Sequence, residues 1–245
     1  MTKKIKRRDF LKHGVNIGIT SAVGFSFLSG ARKTSRPENT LMTEIAVVEG
    51  PDALQNTKKA VELLGGMKTF VPEGARVALL PNSQSRHPGT FTNPEVIRAG
   101  IRMCKAAGAG EVSCLSWLPK KFWDGSGLGK VVEEEGALLK LVGMEDDYYK
   151  TVPLPNGIAL KKAMIMKELY NHDILIDMPV IKDHAGNKFT GTMKNLMGLN
   201  SPSCNRTFHK KNWDTDINAL EHLDQCIADL NLAIKPRLCL VDATV

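Results

Sequence analysis

Short aliphatic and β-branched runs recur along this chain with helix-patterned segments between them, and that alternation limits the fold more than any other feature. Strand-like runs fall at residues 44–48, 76–80, 111–116, 174–178 and 238–241, and helical patterns at residues 52–64, 93–107, 128–135 and 216–231. The helix boundaries are chemically marked. Asp52 and Asn93 stand where a side-chain oxygen accepts from the first free N–H groups, and Pro94 follows Asn93 at the first helical position. Gly65-Gly66 and Ala107-Gly108 close those two helices. In the last helix Ile217, Leu220, Leu223, Ile227 and Leu230 share one face. The strand runs lack polar alternation, as strands buried on both faces of a parallel sheet do. The expectation is an α/β fold: a mostly parallel sheet with helices on both faces. Residues 151–166, with Pro153, Pro155 and Asn156-Gly157, predict a β-hairpin insertion.

The net charge of +7 belongs to one end of the chain. Residues 1–36 hold nine of the 33 Lys and Arg residues and one of the 26 acids, which leaves 24 bases against 25 acids in the remainder. A near-neutral folded part argues against nucleic-acid binding, which needs a basic face on the domain itself. The basic end reads as an address. Lys3 to Lys12 are followed by a mild apolar stretch from Gly14 to Leu28 and by Ser29-Gly30-Ala31, the three parts of a signal peptide. The order Arg7-Arg8-x-Phe10-Leu11-Lys12 is similar to the twin-arginine consensus, with Lys6 where Ser or Thr is usual. The expected organisation is a twin-arginine signal peptide over residues 1–31, a polar linker over 32–43 and an α/β domain over 44–245. The translocation machinery is then a partner, the location is periplasmic or otherwise exported, and no membrane span remains after cleavage. The last strand has no covering element after it, so the domain is expected to be incomplete.

Five cysteines without a C-x-x-C pair give no iron–sulfur or zinc-ribbon motif. Four lie in apolar periodic stretches and read as small hydrophobes. Cys204, in a polar loop, is the one candidate for chemistry. The acidic runs at 133–135 and 145–147 read as solvated surface. His87, His172 and His222 read as structural or exposed, and the glycines before Lys130 lack phosphate-loop spacing.

Ligands of open α/β sheets bind beyond the carboxyl ends of the strands. Asn82 follows the strand at 76–80, and Asp242 follows the last one. After the strand at 174–178 come Lys182, His184, Lys188, Thr190, Gly191, Lys194 and Asn195, then Arg206 and His209, with Asp183 as the only acid up to 209. Thr190-Gly191-Thr192 before an amphipathic turn predicts backbone N–H groups at a helix start, where anions are favoured. Lys182, Lys194 and Arg206 suit negative charge, while His184 and His209 suit proton transfer or metal ligation. Asn82, Thr190, Gly191, Asn195 and Asp242 are read as further ligand-binding positions.

The runs Met178-Pro179-Val180-Ile181-Lys182-Asp183-His184 and Thr190-Gly191-Thr192-Met193-Lys194-Asn195-Leu196-Met197-Gly198, with Arg206 and His209, resemble the domain-of-unknown-function 362 family. Leu80-Pro81-Asn82, Thr92-Asn93-Pro94 and Leu240-Val241-Asp242 carry the same resemblance. Leu80 stands where the family usually has lysine, Asp183 where it has threonine, and the glycine-rich segment expected after the last strand is missing. A more distant likeness is to nickel-pincer lactate racemases, through His184-Ala185-Gly186, Gly191-Thr192-Met193-Lys194 and His209. These resemblances imply an exported enzyme of unassigned reaction whose catalytic groups are His184, His209 and Lys182. Its site would take a small anion or a metal-containing cofactor, with His184 and His209 as the candidate metal ligands. The alternative is a non-catalytic exported binding or accessory protein.

Overall fold

The computed structural model describes residues 44–84, 87, 89–184, 187–210 and 215–244. The expected signal peptide and nearly all of the linker lie outside the described residues, as do Ala185 and Gly186. In chain order the α/β unit runs α1 (Ala53–Leu63), β1 (Arg76–Pro81), α2 (Pro94–Ala106), β2 (Glu111–Ser116), α3 (Lys120–Ser126), α4 (Leu128–Glu134) and β3 (Leu138–Leu141). A hairpin of β4 (Tyr149–Pro153) and β5 (Lys162–Met166) follows. The chain continues with β6 (Ile174–Met178), α5 (Thr192–Asn195), α6 (Pro202–Phe208), α7 (Ile217–Leu230) and β7 (Leu238–Cys239).

Five strands form one parallel sheet in the order β3-β2-β1-β6-β7. β1 pairs with β2 at Val77↔Val112 and with β6 at Leu80↔Asp177, so it lies at the centre. Its side chains alternate between two cores. Val77 and Leu79 pack with Val96, Ile97, Ile101 and Trp123 on one face. Ala78 and Leu80 pack on the other with Ile165 of the hairpin, Leu196, Phe208 and the α7 residues Leu223, Ile227 and Leu230. Burial on both faces explains why these strands are continuously apolar, and helices do cover both faces as the sequence predicts.

The caps are where the side chains place them. Asp52 accepts from Gln55 N–H, Asn93 from Glu95 N–H and Asp216 from Asn218 N–H, each opening its helix. The hairpin pairs antiparallel from Tyr149↔Met166 to Pro153↔Lys162, as expected of residues 151–166. Three expectations need correction. Residues 44–48 form no strand: Ile45 is 81% and Val47 70% exposed, because this run has no partner strand to hide against. β3 was not expected from Leu-Leu-Lys-Leu, yet it adds to the edge of the sheet beside β2. Cys239, read as a small hydrophobe, is exposed on the short edge strand β7.

Candidate functional site

Strand order reverses between β1 and β6. β1 connects through α2 to β2 on one side, while its other neighbour β6 connects onward to β7. The carboxyl ends of β1 and β6 therefore flank the crevice that a doubly wound sheet offers to ligands. Asn82 follows one strand and Lys182 the other, and the fold brings them together. Lys182 Nζ donates to Asn82 Oδ1 at 3.2 Å and to the Thr90 carbonyl at 2.5 Å.

A buried polar chain stands behind this contact. Asn82 Nδ2 donates to Asn195 Oδ1 at 3.2 Å, and Asn195 Nδ2 donates to Asp177 Oδ1 at 2.7 Å and to the Leu80 carbonyl at 2.9 Å. The two ends fix the direction of both amides, because the Lys182 ammonium only donates and the Leu80 carbonyl only accepts. Asn195 is 7% exposed with both ends of its amide occupied, so it holds the site together from beneath rather than facing a ligand. Asp177 is fully buried on the central strand β6, and its Oδ2 has no hydrogen-bond partner among the described residues. Burial lifts this carboxyl to about 7, against the downward pull of hydrogen bonds from Asn195 and the Met178 N–H.

Thr92 ties the same strand ends together: its Oγ1 donates to the Met178 carbonyl at 2.6 Å and accepts from Asn82 N–H at 3.0 Å. Asp242 also works on the backbone. One of its carboxylate oxygens accepts from Asn93 N–H at 2.7 Å, and the other accepts from Thr244 N–H and Oγ1. Its main chain pairs with Pro179 and Ile181, which extends the β6–β7 pairing beyond the strands proper. Thr190 and Lys182 exchange backbone hydrogen bonds across the loop, with the Thr190 hydroxyl buried beneath.

Four basic side chains converge above this floor. Lys182 is depressed to about 8, first by burial and then by Lys194. Burial pushes His184 down to about 4, with Lys194, His209 and Lys182 adding to it and Asp183 opposing. Lys194 is lowered by burial and partly restored by Asp224. His209 is lowered by burial and by Lys194, against a hydrogen bond to the Asn205 carbonyl. These mutual effects place Lys182, His184, Lys194 and His209 in one electrostatic neighbourhood. Among the described residues, neither Lys182 nor Lys194 forms an ion pair: Lys182 meets neutral oxygens and Lys194 meets Met197 Sδ at 4.0 Å.

Lys194 also faces a cavity of about 510 Å³ whose walls include Ile181, Gly191, Thr192, Asp224 and Ile227. Asn187 donates to Asp224 Oδ1 and so fastens the loop carrying His184 to α7. A Cβ on Gly191 would sit 2.9 Å from the ring of Phe189, an exposed side chain with room to turn aside. The expected helix start at Thr190-Gly191-Thr192 exists but opens only the single turn of α5, so positive charge comes from side chains rather than from a helix dipole. Arg206 does not join the cluster. It is exposed on α6 and makes no bond to a described residue of the site. Among the described residues no three His, Cys, Asp or Glu side chains are grouped to hold a metal ion. His184 and His209 thus gain no acidic or thiolate third ligand there.

Fold and site together define a doubly wound α/β protein with Lys182, His184, Lys194 and His209 gathered at its switch point. The model of the family described as domain of unknown function (DUF362) matches residues 77–245, and the chain belongs to that family. It is 29% identical over 160 residues to the thylakoid-associated protein sll1697 of Synechocystis, an alignment covering 61% of this chain and 47% of that protein. Two solved structures share the fold. The lactate racemase apoprotein from Thermoanaerobacterium thermosaccharolyticum superposes with a TM-score of 0.54 at 18% identity, covering 77% of this chain and 47% of that one. A Thermotoga maritima protein gives 0.51 at 14% identity, covering 77% and 50%. The chain spans about half the length of each of these proteins.

Proposed function

We propose that this protein is an exported enzyme that binds a small anion, most simply a carboxylate, at Lys182, Lys194 and His184, with His209 beside them. The observation that carries the reading is a pair of half-buried lysines that form no ion pair among the described residues, with Asp224 acting on Lys194 only from beyond contact distance. Holding cations out of water without a counter-charge costs free energy, and an anionic ligand offsets that cost on binding. Asn82, Asn195 and Asp177 keep Lys182 aimed from beneath, and two imidazoles that burial holds below their ordinary range stand beside it, uncharged at neutral pH. The fold shared with a lactate racemase makes lactate a first substrate to try.

Thermal-shift and calorimetric titrations with lactate, phosphate and sulfate test the binding. Stabilisation of the wild type that is lost in Lys182→Met and Lys194→Met is the expected result. Equal responses in wild type and variants would overturn the site. Binding without turnover of any hydroxy acid would favour a carrier over an enzyme. Export is tested by fusing residues 1–31 to a reporter. The double change Arg7→Lys and Arg8→Lys is expected to retain the reporter in the cytoplasm, and unimpaired export would overturn the twin-arginine route.

A further inference from the structure

The cavity beside Lys194 presents both signs of charge. Its volume of about 510 Å³ falls within the roughly 300–1,000 Å³ of small-ligand pockets. Lys194 and Asp224 both line it. Among the described residues they form no ion pair, and Asp224 acts on Lys194 from beyond contact distance. Opposite charges that face one cavity without touching suit a ligand that carries both charges itself and sits between them. Asn187 takes one oxygen of Asp224, and the carboxylate can still accept from a second donor.

Much of the remaining wall is apolar. Phe189, Met193 and Val241 line the cavity while 54%, 47% and 45% exposed, and Ile227 of α7 packs beside them. Large apolar side chains scattered singly over a surface are ordinary, but three around one hollow offer an apolar group a place to leave water. The two walls are tied to each other. Asn187 Nδ2 donates to Asp224, and Asn231 Nδ2 donates to the Met193 carbonyl at 3.2 Å and to the Ile227 carbonyl at 2.8 Å. The loop and α7 cannot part without breaking both ties, so the charges are in position before a ligand arrives.

We infer that this cavity binds an apolar α-amino acid, with its carboxylate on Lys194, its ammonium on Asp224 and its side chain against Phe189, Met193, Ile227 and Val241. The inference rests on the anion-binding reading at Lys194 and narrows it from any small carboxylate to a zwitterion. A carboxylate without an ammonium brings a second negative charge toward Asp224 with nothing between them. An amino acid without a side chain leaves the apolar wall in water.

Calorimetry on the full chain with leucine, 4-methylpentanoate and glycine decides it. 4-Methylpentanoate keeps the carbon skeleton of leucine and lacks the ammonium, while glycine keeps both charges and lacks the side chain. The wild type is expected to bind leucine roughly tenfold more tightly than 4-methylpentanoate. Burial of the side chain should separate leucine from glycine by about tenfold or more. Asp224→Asn retains an oxygen for Asn187, so the loop stays tied. This variant should lose the preference for leucine without weakening 4-methylpentanoate. Equal affinity for the two acids in the wild type, or a preference that survives in Asp224→Asn, overturns the inference and leaves the anion site standing. Loss of both ligands in that variant assigns Asp224 to holding the loop and overturns its ligand role. Leucine bound no better than glycine overturns the apolar subsite. A wild type that binds lactate but not leucine overturns the inference alone, and one that binds neither, nor 4-methylpentanoate, overturns the anion-binding reading with it.

Discussion

Two sets of basic side chains sit on this domain in opposite electrostatic states. On one flank Arg98 reaches Glu95, Glu134 and Glu135 at 3.0, 2.9 and 2.6 Å, and Arg102 shares Glu135 at 2.8 Å. Lys140 lies 2.8 Å from both Glu111 and Glu168. Hydrogen bonds to these carboxylates hold the two arginines above their ordinary range, with Glu135 the leading partner of each. Burial works against Lys140, but Glu111 and Glu168 outweigh it. At the carboxyl ends of β1 and β6 the balance is reversed, and Lys182 and Lys194 are pushed down. The difference lies in the neighbours, since the residue types are alike. A cation matched by acids of its own fold is structural, whereas a buried one left unmatched is suited to a charge from outside.

The sharpest way to break this contrast is to remove the unmatched charges. Each charge-assisted hydrogen bond to an anion is worth about 1.5–3 kcal/mol. The double variant Lys182→Met and Lys194→Met should therefore weaken anion binding by roughly a hundredfold or more in calorimetry. Arg102→Gln, on the matched flank, should leave the affinity unchanged. A comparable loss in both variants would mean that the contrast carries no functional information.

Acidity gives the next largest effect. An anion binds the protonated amine, and Lys182 loses its proton near pH 8. Affinity should hold level below pH 7 and then fall by up to about tenfold per pH unit above 8, the limit for one required proton. Dissociation constants measured from pH 6.5 to 9.5 check the slope. A flat profile would remove Lys182 from the ligand contacts.

The unmatched half of this contrast is legible in the sequence, whereas Glu135, read as solvated surface, is largely buried between Arg98 and Arg102. Lys182, His184, Lys194 and His209 are visible because they crowd the segment after a predicted strand, where crevice ligands bind. Arg206 is nominated by the same crowding. Only the formed helix reveals that residues 205 and 209 lie one turn apart, while residue 206 is rotated about 100° away toward solvent. Asp177 is hidden inside Ile-Leu-Ile-Asp-Met, which reads simply as a strand. Its importance appears only when β6 lies between β1 and β7 with Asn195 packed on it. Thr90 carries no local signal, and Thr92 enters only through the family resemblance, because their partners Lys182 and Met178 are 92 and 86 residues away. Sequence pattern reports periodicity and local crowding, and it is silent about contacts closed by a crossover.

Stability separates the two flanks more gently. The folded value of Lys182 lies below its ordinary 10.5, so its protonated form favours the unfolded chain. That penalty is fully present below about pH 8 and disappears as pH rises from 8 to 10.5. Lys182→Met should accordingly raise the melting temperature of the ligand-free protein at pH 7 by roughly 2–4 °C, trimmed by the acceptors left at Thr90 and Asn82, and the gain should vanish by pH 10.5. Glu135→Gln should have the opposite sign at pH 7, because it leaves Arg98 and Arg102 short of their shared acid.

The smallest effect expected is at Asp177, and it tests whether the polar chain beneath Lys182 needs a charge or only a shape. Its folded value of about 7 lies above its ordinary 3.8. The protonated carboxyl is thus the form that the fold favours, and this contribution is full below 3.8 and lost as pH rises from there through 7. Asp177→Asn retains an oxygen to accept from Asn195 and cannot ionise. The variant should match the wild type below pH 4 and exceed it slightly at pH 8 in melting temperature, with anion affinity nearly unchanged. A variant that melts lower at pH 8 and loses anion binding would show that the ionised carboxylate, reaching Lys182 through two amides, is itself part of what holds the site's positive charge in place.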